Sequence, residues 1–187
     1  MPKEKKQLFD WINESTSADS VIATTSLTDN IYLTVYTQAN VFIPRSQHSL
    51  APDSEALERL LYVYKISGIS EDRLKAMFSL TESNKQVRAK EHFNFDDCAG
   101  HYIYFRRYIG RDYYNCSVPE FVLKDILQKY QSLNLNEINF RYRLDYWLWG
   151  PNEEKWATFI PENDTNWQLV WSNTAYRLYQ FSQPASQ

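Results

Sequence analysis

The run Glu137-Ile138-Asn139-Phe140-Arg141-Tyr142-Arg143-Leu144-Asp145-Tyr146-Trp147-Leu148-Trp149 decides the fold class. Successive side chains of a strand point to opposite faces. Ile138, Phe140, Tyr142, Leu144, Tyr146 and Leu148 therefore share one face, and Asn139, Arg141, Arg143, Asp145, Trp147 and Trp149 share the other. The first set predicts a core-facing strand. The second forms a row about 18 Å long at the usual strand rise, and Trp and Arg are residue types enriched at binding hot spots. Arg141, Arg143, Asp145, Trp147 and Trp149 are thus the candidate binding residues. The competing reading buries the two tryptophans under helices and pairs Arg141 with Asp145 on a wet face.

Three further strands follow, Lys155–Ile160, Trp167–Ser172 and Ala175–Ser182, and five of the six tryptophans lie in this last quarter. Four strands predict a C-terminal antiparallel sheet. Upstream, Val21–Leu27 and Ile31–Thr37 flank Thr28-Asp29-Asn30 and read as a β-hairpin, because Ile31, Leu33 and Val35 alternate with Tyr32, Thr34 and Tyr36. Val41–Ile43 is a third short run. Gln86–Phe95, His101–Tyr108 and Tyr113–Cys116 form a second meander.

Helical spacing of apolar residues appears in four places. Residues 3 to 14 place Leu8, Trp11 and Ile12 on one side. A helix capped by Asp53 or Ser54 carries Leu57, Leu60, Leu61 and Tyr64 and stops at Gly68. Ser70 caps a shorter helix bearing Leu74, Met77 and Phe78. Ser117 and Glu120 form a capping box, with Pro119 in the first turn, ahead of Val122, Ile126, Leu127 and Tyr130. This last helix is expected to lie across the C-terminal sheet. The combined expectation is α+β: antiparallel β-meanders with a C-terminal four-stranded sheet and helices packed against it, in a single domain spanning residues 1–187.

Composition narrows the function classes. The 187 residues include 14 Tyr, 10 Phe and 6 Trp, and 20 basic side chains face 23 acidic ones for a net charge of −3. A mildly acidic chain is no attractor for phosphate, so duplex nucleic acid is not an expected partner. Only four glycines are present, and no Gly-rich phosphate loop, nucleophile elbow or dinucleotide fingerprint occurs. No cofactor is expected. Cys98 and Cys116 lie in no CxxC pair and are expected as free thiols of a reducing compartment. The charged N-terminus lacks the apolar run of a secretory signal, and no apolar stretch approaches the ~18 residues of a membrane span. A soluble cytoplasmic protein without membrane contact is the expectation.

Two other clusters carry chemistry. Arg106, Arg107 and Arg111 sit among Tyr102, Tyr104, Tyr108, Tyr113 and Tyr114, the mixture that binds single-stranded nucleic acid by stacking and phosphate contact. They are the alternative binding residues. His101 follows Asp96, Asp97 and Cys98, but the three histidines have neither HxH nor HxxxH spacing, so no metal site is expected. The leading function is a non-catalytic protein-binding domain of inhibitor, immunity or adaptor type, using the aromatic and charged sheet face. The alternatives are a small-molecule-binding or enzymatic domain with a Tyr/Trp-lined pocket, and single-stranded nucleic-acid binding.

Overall fold

The structure, a computed structural model, describes residues 1–43, 52–78, 118–135, 141–159 and 161–182. In chain order these form helix α1 (Lys3–Ser15), strand β1 (Val21–Ala23), α2 (Leu27–Tyr36), β2 (Asn40–Val41), α3 (Asp53–Ile66) and α4 (Glu71–Phe78). There follow α5 (Glu120–Ser132), β3 (Tyr146–Trp149), α6 (Pro151–Trp156), a 3-10 turn (Pro161–Asn163), β4 (Trp167–Ser172) and β5 (Arg177–Phe181). Among the described residues no helix is long and apolar enough to cross a membrane. The meander expected over Gln86–Cys116 lies outside the described residues, as does Ser117.

The α+β class holds, but the sheet is mixed. Its five strands run in the order β2-β1-β3-β5-β4. β1 is parallel to both β2 and β3, while β5 is antiparallel to β3 and to β4. The departure from a purely antiparallel sheet originates in α2. Ser26 accepts a hydrogen bond from the Asp29 amide at 3.0 Å and caps a helix where a hairpin was expected. A helix between two short strands makes a crossover, so β1 and β2 pair in parallel. The helical period was hidden because the buried face of α2 includes the polar Asp29 and Asn30 beside Leu27 and Leu33. Asn30 Nδ2 donates to the Ile43 carbonyl at 3.0 Å, which ties α2 to the chain leaving β2.

Among the described residues the C-terminal quarter supplies three strands instead of four. Lys155–Ile160, expected as a strand, begins within α6 and continues as irregular chain to Phe159. Pro151 occupies the first turn of α6, and Glu153 Oε2 accepts from the Gly150 amide at 3.0 Å, as the third residue of a capping box does. Of the expected long strand Glu137–Trp149, the described part is extended only over Tyr146–Trp149. β4 and β5 match the expected third and fourth runs, with a bulge between Leu169 and Trp171.

Helices cover both faces of the sheet. Ala23, Trp147, Trp149, Trp167 and Tyr179 pack with α3, α4 and α5 in the larger core. Ile22, Leu148 and Leu178 pack with Leu8, Phe9 and Ile12 of α1 and Leu33 of α2. α5 docks on α3 and α4 by Val122, Ile126 and Tyr130, and the Tyr130 hydroxyl donates to the Ile69 carbonyl. Gly68, with φ of 69°, ends α3 in the left-handed region. A Cβ there would lie 2.5 Å from Thr158 Oγ1, which donates to the Gly68 carbonyl and latches this turn to the chain after α6.

Candidate functional site

The five residues expected on one strand face do not form one surface. Trp147 is 1% exposed and Trp149 is also buried. With helices on both faces of the sheet, both side-chain sets of β3 point into cores. Trp147 stacks on Phe159 at 6.0 Å and meets Trp149 and Trp167 edge-on, each at 5.5 Å. Among the described residues, neither indole N–H of Trp147 or Trp149 has a hydrogen-bond acceptor.

The charged members precede β3 and are engaged in ion pairs. Arg143 pairs with Asp19 at 2.7 Å and with Asp145 at 2.8 Å. The Arg143 guanidinium holds the Asp19 carboxyl below its ordinary value. Asp145 Oδ2 also accepts from the Val21 amide at 2.8 Å, so the trio clasps the start of β1 to the approach of β3. The expected Arg141–Asp145 pair is replaced by Arg143–Asp145, and Arg141 pairs with Glu58 of α3 at 2.6 Å. Arg141 stands at a groove of about 280 Å³ between α3 and α5, with Glu58, Tyr62, Lys129 and Leu133 also in its lining. Burial, reinforced by Glu58, pushes the neighbouring Tyr142 hydroxyl up to about 12. Arg106, Arg107 and Arg111 lie outside the described residues.

A second polar cluster, not anticipated from the sequence, joins the carboxyl ends of β1 and β3. In open α/β sheets, ligands bind beyond the carboxyl ends of strands, where neighbouring connections diverge. Here the chain's own carboxylate fills that position. Glu153 is fully buried. Its Oε1 accepts from Thr24 Oγ1 at 2.7 Å, from the Thr25 amide at 2.6 Å and from Thr25 Oγ1 at 2.8 Å. Burial raises the carboxyl's proton affinity, opposed by these donors and the Gly150 amide, with the net shift upward. Beside it, Lys5 of α1 pairs with Asp29 of α2 at 2.6 Å, both buried. Burial alone would lower the Lys5 pKa, but Asp29 and Tyr176 outweigh it and the net shift is upward. Tyr176 packs so closely on Gly150 that a Cβ there would fall 2.8 Å from its ring. Four donors to Glu153 and the Lys5–Asp29 ion pair make this cluster a polar seam between elements.

Among the described residues, one exposed apolar surface is the outer side of α2. Tyr32, Val35 and Tyr36 are 37%, 64% and 49% exposed at i, i+3, i+4 spacing. The sole charged residue of α2, Asp29, is buried, so this face carries no charge. Tyr36 stacks on Phe9 at 6.0 Å and meets Tyr32 at 5.9 Å. The Lys5 ammonium lies 4.8 Å from the Tyr32 ring centroid. Asn13 fixes the end of the helix, donating to the Tyr36 carbonyl at 2.9 Å and accepting from the Gln38 amide at 2.9 Å. Reading Ile31–Thr37 as a strand concealed this stripe, because period two separates Tyr32 and Tyr36 from Val35. Helical period unites them.

The chain matches no protein-family model, no curated protein and no solved structure.

Proposed function

We propose that this is a non-catalytic binding protein, of inhibitor, immunity or adaptor type, that engages a protein partner through the outer face of α2. The observation that carries the reading is the uncharged stripe Tyr32, Val35 and Tyr36, exposed on a helix whose opposite face is buried. Tyrosine supplies large contact area with few rotatable bonds, and such residues concentrate at interface centres. The ring contacts among Phe9, Tyr36 and Tyr32 hold the side chains in place before binding, which lowers the ordering cost of association. Polar Thr34 and the exposed Lys6–Asp10 pair provide a wettable surround. The complementary partner is a protein with an apolar groove that accepts i, i+3, i+4 anchors.

Affinity capture with the intact chain, compared with Val35→Glu and Tyr36→Ala, tests the reading. Partners captured by the wild type are expected to be lost, by at least tenfold, with Val35→Glu, while the melting temperature stays within the range of surface substitutions. Unchanged capture by both variants would overturn it.

A second reading draws on the groove between α3 and α5. Its modest volume, with Arg141 at the rim and Tyr62 in the wall, suits a small ligand bearing a carboxylate that competes with Glu58 for the guanidinium.

A further inference from the structure

We infer that β4 is a pairing edge for a second copy of this chain, so that two five-stranded sheets join through antiparallel β4 strands across a two-fold axis. β4 is the last strand of the sheet and hydrogen-bonds to β5 on one side, with no described strand on the other. An edge strand turns alternate N–H and C=O groups outward, and the chemistry that satisfies a row of them is another strand.

Edges are commonly blunted by lysine, proline, short length or a bulge. The six residues Trp167-Gln168-Leu169-Val170-Trp171-Ser172 contain no charge and no proline. Their one protective device is the bulge between Leu169 and Trp171. It shortens the unbroken ladder, so the joint is short and its affinity modest.

The absence of charge selects the occupant. In a two-fold joint each residue faces its own reversed sequence, so any charged residue near the axis brings like charges together. Full antiparallel overlap of β4 sets Trp167 opposite Ser172, Gln168 opposite Trp171 and Leu169 opposite Val170. No like-charge pair forms. On a chain of net charge −3, an uncharged strip is where two copies approach at least electrostatic cost. Leu169, 44% exposed, and the half-buried Trp171, packed 6.2 Å from Trp11 of α1, supply apolar contact beside the axis.

Sedimentation equilibrium on the full chain, from about 1 μM to ~0.5 mM, spans the affinities of weak to moderate specific association. The wild type is expected to shift from monomer to dimer within that range. Leu169→Lys places two like charges at the joint and is expected to weaken dimerisation at least tenfold, while its far-UV circular dichroism and melting temperature match the wild type. Gln168→Lys, at a second exposed position of the strand, is expected to do the same. Val35→Glu is expected to leave the dimer intact, which separates this joint from the α2 face. A wild type that stays monomeric throughout overturns the inference. So does a dimer that both lysine variants preserve, or open-ended assembly in place of a closed pair.

Discussion

The two faces of the sheet are buried by opposite means. On one, Trp147, Trp149, Trp167 and Tyr179 meet α3, α4 and α5 in an aromatic core. On the other, α1 and α2 close over Ile22, Leu148 and Leu178, and their margin is a seam of Lys5, Asp29, Glu153 and two threonines. The aromatic face gains from area and shape, which are forgiving of partner identity and intolerant of voids. The polar seam gains little net energy, since desolvation offsets most of the attraction, but an unmatched partner there is costly. The seam therefore contributes more to which helix packs where than to how stable the sheet is.

Breaking the aromatic face is expected to have the largest effect. Trp147→Ala should cost about 4–5 kcal/mol, the upper part of the range for large-to-small core changes, because the surrounding rings cannot collapse into the space. Urea denaturation checks this, and a loss below about 1 kcal/mol would mean that the helices over this face contribute little to stability. Next comes the seam. Lys5→Met should cost about 3 kcal/mol by leaving Asp29 buried without its cation, whereas Lys5→Met with Asp29→Leu should recover most of that loss. Additive losses in the double-mutant cycle would show that the two charges are not coupled.

The smallest effect is a pH dependence. The Glu153 carboxyl has its folded pKa raised above the ordinary 4.5. Its contribution to stability is fully present below 4.5 and is lost as pH rises through the raised value, with a slope of at most roughly 1.4 kcal/mol per pH unit. The stability difference between wild type and Glu153→Gln should accordingly favour the wild type more at pH 4.5 than at pH 8. A difference independent of pH would indicate that Glu153 titrates as it does in the unfolded chain.

Legibility followed the locality of the cause. α1, α3 and α4 were readable because their apolar residues recur at helical spacing, and Gly68 ends α3 where its positive φ is needed. β4 and β5 were readable as two extended runs. α2 was missed because Asp29 and Asn30, polar in the sequence, are buried by partners far along the chain, Lys5 and the Ile43 carbonyl. α6 was missed because Glu153 serves both as its capping residue and as the acceptor for Thr24 and Thr25. Of the candidate site, the alternation that separates Trp147 and Trp149 from Tyr146 and Leu148 was legible. Which of the two sets faces solvent was not, and neither does.

By itself the sequence determined the α+β class, most helix positions and the extended ends of the C-terminal quarter, because helix period and strand alternation are local steric properties of the chain. Tertiary structure alone decided that β1 runs parallel to its neighbours, that the tryptophans of the last quarter's first strand lie inside, and that the exposed aromatic stripe belongs to α2. These depend on what covers a face, and the partners that fix a covering element include residues from 13 to 128 positions away.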